Sequence, residues 1–243
     1  TITGSAGDDV LLGDTGESTN IDGGAGDDTI TGGSAAETIS GGAGDDTING
    51  GGGADTINGN DGDDGITLGG GTESVDAGAG DDTITAAANL TFGTTIVGGD
   101  GTDILSTNAA VSAANGSVVS GFETLTLASA GTTDLDNFGN NTFTTVTSGA
   151  LGAQVVQSVR SEVVTLDGIA TGTLTVTMED ATGTADTVAL AVSGDANLTQ
   201  TLDIVVADVE TINLTSTDTD DTTAHTHTVF LDADSATTLN VSG

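Results

Sequence analysis

Gly41-Gly42-Ala43-Gly44-Asp45-Asp46-Thr47-Ile48-Asn49 is followed at once by Gly50-Gly51-Gly52-Gly53-Ala54-Asp55-Thr56-Ile57-Asn58, and the match between these two nonamers decides the fold. Outward from them the same phase holds from Gly23 to Thr85, in seven consecutive blocks of nine. Gly23–Thr31 is a third clear copy; Gly32–Ser40, Gly59–Thr67, Leu68–Asp76 and Ala77–Thr85 are looser. Outlying copies stand at Gly4–Leu12 and Gly98–Ser106. A short fixed period makes each unit one turn and one short strand. Such a unit buries nothing alone, so a core forms only where neighbours stack.

Each block divides into a six-residue turn and a three-residue strand such as Thr29-Ile30-Thr31 or Thr47-Ile48-Asn49. Only the middle residue is apolar. Alternation therefore sends Ile30, Ile39, Ile48, Ile57, Ile66, Val75 and Ile84 inward as a narrow aliphatic seam, while Thr, Ser and Asn face water. The turn glycines permit positive φ and close backbone approach, which exposes carbonyls, and the sixth-position acid adds a carboxylate to the same turn. Hard oxygen donors at this density suit calcium. The carbonyls of first and third block positions, Gly23 and Ala25, Gly41 and Ala43, Gly50 and Gly52, Gly59 and Asp61, Ala77 and Ala79, join the candidate ligand set.

Two blocks make one coil of eighteen residues, so acids eighteen apart stack on one edge. One column reads Asp9, Asp28, Asp46, Asp64, Asp82 and, after an insertion at Ala86–Val97, Asp103. The other reads Glu17, Glu37, Asp55 and Glu73. Carboxylates in a column repel unless a cation lies between them, and a shared divalent ion removes the repulsion while tying coils together. Adjacent pairs suggest about eight Ca2+ ions, each taking six to eight oxygens. Glutamate is longer than aspartate, and Gly32–Ser40 and Leu68–Asp76 lose turn glycines, so weaker or absent ions are expected on the second edge. Without calcium the thin seam does not offset chain entropy and charge repulsion, and a disordered Gly/Asp-rich chain is the expected state.

The span Gly4–Ser106 resembles the RTX nonapeptide family. That resemblance implies a parallel β-roll with calcium in its turns, exported unfolded through type I secretion from Gram-negative cells. The same roll accompanies toxins, proteases, lipases, adhesins and surface-layer proteins, so it does not by itself define an activity.

Composition narrows the class. Thirty-seven acids stand against a single base, Arg160, for a formal charge of −36. Nucleic acid and anionic membranes are thereby disfavoured as direct partners. With no Cys, Pro, Trp or Tyr and five Phe, disulfide and thiol chemistry are excluded, and metal is left as the staple. No stretch has the apolar length of a transmembrane helix, and no signal peptide opens the chain. A longer parent protein is expected, because the chain starts at Thr1 and stops in the strand-like Thr237–Gly243.

The reading is all-β, with a calcium roll over residues 1–106 and a Thr/Val-rich region over 107–243. In the latter, Phe122-Glu123-Thr124-Leu125-Thr126-Leu127 echoes Ser161-Glu162-Val163-Val164-Thr165-Leu166 and Val209-Glu210-Thr211-Ile212-Asn213-Leu214. The glutamates lie 39 and 48 residues apart, which predicts larger irregular coils of a continuing β-solenoid, with a β-sandwich as the alternative. Nonapeptide blocks joined to Val209–Leu214 and to Thr237-Thr238-Leu239-Asn240-Val241-Ser242-Gly243 resemble RTX-type surface-layer proteins of Gram-negative bacteria. The resemblance implies a secreted structural protein on the bacterial cell surface, packing against copies of itself in a calcium-dependent lattice. Neither a segment for binding lipopolysaccharide nor a C-terminal secretion signal is recognisable. An RTX adhesin or biofilm spacer, and an accessory domain of a secreted hydrolase or toxin, are the alternatives.

No enzyme is expected. His225 and His227 alternate on one strand face, yet no third ligand follows by spacing, and two solvent-facing histidines is the simpler account. Arg160 reads as a surface partner of Glu162. No Gly-x-Ser-x-Gly elbow is followed by a histidine in an α/β setting. Asn115, Asn197 and Asn213 sit in sequons, which mean little in a bacterial product. Asp134, Asp136, Asp218, Asp220 and Asp221 are further acids open to calcium, read here as solvated loop residues, and Asp186 is placed outside both columns.

Overall fold

The computed structural model describes residues 1–86, 90, 93–107, 118–128, 131–138, 141, 143–148, 154–159, 163–167, 171–178, 187–194, 200–207, 209, 211–218, 227–232, 236 and 238–242. The chain forms two compact units. One comprises Thr1–Asn108, Ala113–Leu125 and Asn137–Thr142; the other comprises Ala109–Ser112, Thr126–Asp136 and Phe143–Gly243. Every pairing among the described strands of both units is parallel, and the architecture is a β-solenoid of about seven turns in its repeat part.

In the first unit, each coil contributes one strand to each of two sheets. Strands Ile2–Thr3, Asn20–Ala25, Thr38–Ala43, Thr56–Asp61, Ser74–Ala79, Thr95–Asp100 and Val118–Ser120 lie side by side in that order. The second sheet stacks Val10–Leu12, Thr29–Thr31, Thr47–Asn49, Gly65–Leu68, Thr83–Ala86 and Ile104–Thr107. Register keeps the seam continuous: Ile21 pairs with Ile39, Ile39 with Ile57, and Ile57 with Val75; opposite them, Ile30 pairs with Ile48 and Ile48 with Ile66. All these seam residues are buried to 2% exposure or less. Burying one such side chain stabilises by roughly 1.5–3 kcal/mol, and stacking is what makes the burial available.

The two sheets differ in a way the block pattern does not anticipate. Strands of the first sheet mostly run six residues, through the first three turn positions, while those of the second have three or four. Turn residues Gly24 and Ala25 pair in register with Gly42 and Ala43, so on this edge half of the glycine-rich turn belongs to the sheet. The insertion is absorbed within one coil. Thr83 pairs with Gly65 eighteen residues back and with Ile104 twenty-one residues on.

The second unit has strands Gly131–Asp134, Gln154–Val159, Thr171–Met178, Gln200–Ala207 and His227–Asp232 in one sheet. A second set contains Thr145–Ser148, Val163–Asp167, Thr187–Gly194, Thr211–Asp218 and Thr238–Ser242. Parallel pairing between alternate strands makes this unit a solenoid and not a sandwich. Coils here range from the step Thr145 to Val163 up to the step Thr171 to Thr201, so no single sequence period marks them. Leu127, Leu135, Phe143, Val146, Val156, Leu190, Val209 and Ile212 are buried.

Candidate metal centre

Each sixth-position acid directly precedes a strand, so its backbone N–H faces the neighbouring coil. Asp9 N–H donates to Asp28 Oδ1 (2.8 Å), Asp28 N–H to Asp46 Oδ1 (2.7 Å), and Asp46 N–H to Asp64 Oδ1 (2.8 Å). The series continues with Asp64 N–H to Asp82 Oδ1 (2.8 Å) and Asp82 N–H to Asp103 Oδ1 (2.9 Å). One further rung exists: Asp103 N–H donates to Glu123 Oε2 (2.8 Å). Along the opposite edge, Glu37 N–H donates to Asp55 Oδ1 (2.8 Å) and Asp55 N–H to Glu73 Oε2 (2.9 Å). That edge ends where Glu73 N–H meets Thr94 Oγ1 at 3.4 Å.

One oxygen of each carboxylate accepts a backbone N–H. The other is stranded: Asp28 Oδ2, Glu37 Oε1, Asp46 Oδ2, Asp55 Oδ2, Asp64 Oδ2, Glu73 Oε1, Asp82 Oδ2 and Asp103 Oδ2 are buried with no hydrogen-bond partner. A buried, charged, unpartnered oxygen is costly, and eight of them in two columns demand either protons or cations. Burial raises the carboxyl of Asp64 to about 7 and that of Asp82 to about 6, against the lowering effect of the backbone donor, with neighbouring acids raising them further. Asp46, Asp55, Glu73 and Asp103 are likewise raised, chiefly by burial. Hard anionic oxygens packed without donors fit a calcium ion.

The carbonyls stand at the same turns. Those of Ala43, Asp61 and Ala79 accept from the N–H of Gly26 (2.8 Å), Gly44 (2.9 Å) and Gly62 (2.8 Å) in the preceding coil, which leaves each a second lone pair. The carbonyls of Gly41, Gly50, Gly59 and Ala77 press on Gly23, Gly32, Gly41 and Gly59, where a Cβ would collide with them. The carbonyl of Gly23 presses on Gly4 in the same way. Ala25 donates its N–H to Ser5 O (3.2 Å), and Gly52 donates to Gly33 O (2.9 Å).

One expectation needs correction. Glu17 is exposed and lies outside the column; Thr38 N–H pairs with Thr19 O, as Thr56 pairs with Glu37 O and Ser74 with Asp55 O. The rung is fixed by the residue just before the strand, and with Ile21 inward that residue is Thr19. The glutamates of the second edge are buried as deeply as the aspartates of the first. Glu37 and Glu73 are 2% and 3% exposed, each with one stranded oxygen; Glu37 folds back within its turn, where its Oε2 accepts Gly33 N–H at 3.1 Å, and Glu73 Oε2 reaches Asp55 N–H. Asp9 differs from the other aspartates, since its Oδ2 accepts the N–H and hydroxyl of Ser5 (2.6 and 2.9 Å).

A second ladder escapes sequence reading. The fifth-position acids are exposed and run with opposite polarity: Asp27 N–H donates to Asp8 Oδ1, Asp45 to Asp27, Asp63 to Asp45, Asp81 to Asp63 and Thr102 to Asp81, at 2.8–3.1 Å. The signal was the repeated Asp-Asp pair, of which only the sixth-position acid was given a role. Glu123 was visible as the acid before an alternating strand, as Asp82 is before Thr83-Ile84-Thr85.

Of the remaining candidates, Asp136 donates its N–H to Asp134 Oδ1 (3.2 Å), at the start of a 3-10 turn over Leu135–Phe138. Asn213 Oδ1 accepts from Asn240 Nδ2 (2.8 Å). His227 opens a strand and Asp218 closes one. Arg160, Glu162, Asp186, Asp220, Asp221, His225, Asn115 and Asn197 lie outside the described residues.

Together these features define a repeat protein whose coils are joined by buried carboxylate ladders. Residues 1–19, 15–48, 31–66, 67–89 and 94–110 match the family model described as RTX calcium-binding nonapeptide repeat (4 copies), and this part of the chain carries RTX calcium-binding nonapeptide repeats. The match spans under half of the chain. No curated protein matches the chain significantly. Among the described residues, no helix is long and apolar enough to cross a membrane.

Proposed function

We propose that the chain is a secreted, non-catalytic structural protein of a bacterial cell surface, whose roll folds when it meets calcium and packs against copies of itself as a surface layer. The observation that carries the calcium-dependent part is the set of eight stranded, buried carboxylate oxygens. Asp28, Asp46, Asp64, Asp82 and Asp103 would hold ions along one edge, and Glu37, Asp55 and Glu73 along the other, with turn carbonyls completing each shell. Calcium would supply neutralising charge and a bridge between coils. About eight ions would offset about sixteen charges of the formal −36, leaving a surface acidic enough to recruit divalent ions between molecules. Folding would then follow export, as the chain passes from a low to a high calcium concentration.

Electron microscopy of calcium-stripped protein dialysed into millimolar calcium, with an EDTA control, tests the assembly. Two-dimensional sheets that appear only with calcium support the surface layer. Separate particles with calcium-dependent β structure reject it, and leave a spacer or accessory module.

A further inference from the structure

We propose that Asn141 is a neutral rung that ends the metal-dependent column, and that the coils of the second unit stand without divalent metal. The proposal rests on calcium occupying the ladders, and deepens that reading by saying where the requirement stops.

The carboxylate rungs from Asp28 to Asp103 share one deficit. One oxygen accepts an N–H from the coil before it, and from Asp28 to Asp103 the other oxygen is buried with nothing to bond. After Glu123 the next rung is of another kind. Phe122 N–H donates to Asn141 Oδ1 at 2.9 Å, and Asn141 Nδ2 donates back to Phe122 O at 2.9 Å. Asn141 is 7% exposed, and its own N–H reaches Phe138 O at 3.3 Å. The atom that would be a stranded oxygen in aspartate is here an amide nitrogen that carries its own protons and uses one of them on the backbone. This rung brings no charge and needs no cation.

The burial pattern changes with it. The first unit buries eight acids, Asp28, Glu37, Asp46, Asp55, Asp64, Glu73, Asp82 and Asp103. Among the second-unit residues whose burial the structure describes, the buried side chains are aliphatic or aromatic apart from Thr133, and Asp134 and Asp136 are not buried. A core of that composition is held by apolar burial and parallel pairing, both of which survive a chelator.

Hydrogen–deuterium exchange of the full chain, in calcium and in EDTA, separates the possibilities. With EDTA, strands from Ile2 through Ile104–Thr107 are expected to lose protection, while those from Thr145–Ser148 to Thr211–Asp218 keep it. Loss of protection in both sets overturns this proposal and leaves the calcium reading intact; protection retained in both overturns the calcium reading, and the proposal with it. Asn141→Asp, the same shape with a charge, tests the rung itself. Its melting temperature should depend more steeply on calcium concentration than the wild type's, by about one additional ion lost on unfolding. Asn141→Ala should melt lower with the wild-type slope. Identical slopes for all three would show that Asn141 does not mark the end of the column.

Discussion

Asp45 and Asp46 are adjacent in sequence and opposite in circumstance. Asp46 is 2% exposed with one oxygen stranded, whereas Asp45 is exposed and its Oδ1 accepts Asp63 N–H at 2.9 Å. In saturating calcium, Asp46→Ala should therefore cost about 3 kcal/mol or more, since it strips a buried charge network of one partner. Asp45→Ala, which loses one solvated hydrogen bond, should cost about 1 kcal/mol. Paired thermal melts decide it; equal losses would mean that the inner ladder does not hold the ions. The same contrast exists for glycine. Gly42 has φ +129° and a Cβ there would run into the Gly24 carbonyl, while Gly7 has nothing within 4 Å of its missing Cβ. Gly42→Ala should destabilise by well over about 1 kcal/mol and Gly7→Ala by less than about 0.5 kcal/mol, as denaturant unfolding in calcium would measure.

At the scale of the element, the ladder is a chain of coupled acids with a defined pH response. Without metal, burial raises Asp64 to about 7 and Asp82 to about 6, above the ordinary aspartate value of 3.8 that holds in the unfolded chain. Groups raised in the folded state contribute stability that is fully present below the unfolded value and lost as pH rises through the folded one. In EDTA, the roll should thus gain β structure by circular dichroism as pH falls from about 8 to about 5. In calcium the sign of the effect reverses, because protons and ions compete for the same oxygens, and the midpoint calcium concentration should climb over the same interval. A calcium-free chain whose spectrum ignores pH would contradict the burial of these acids. The seam and the Asp column were legible because an eighteen-residue step puts like on like. Glu17 was misplaced because an extra residue between Leu12 and Asn20 moves the rung to Thr19, and Glu123 was missed because its step from Asp103 is twenty. The long strands were hidden since glycine-rich sequence reads as turn, although Gly24 and Gly42 pair in register. In the second unit the coil length varies, so composition indicated strands without indicating which would be neighbours.

For the whole molecule, the distinction between screening a charge and ligating it decides which ions can fold the chain. The formal charge of −36 is spread over exposed acids, such as Asp27, Asp45, Asp63 and Asp81, and buried ones that bulk solvent does not reach. Sodium chloride weakens repulsion among the former, with a Debye length of about 8 Å at physiological ionic strength, but leaves the stranded oxygens stranded. Magnesium carries the right charge, yet it holds its waters and prefers octahedral geometry at about 2.0–2.1 Å. Turns in which glycine Cα atoms abut the carbonyls of the next coil leave little room for a hydrated ion. Calcium tolerates irregular shells of six to eight oxygens and sheds water more readily. Titrating metal-free protein while following its β signal should therefore give a transition with calcium, a much weaker one with equal magnesium, and none with sodium chloride at the same ionic strength. If magnesium folded the roll as well as calcium does, charge neutralisation alone would suffice, and the stranded oxygens would not be acting as an inner-sphere ligand set.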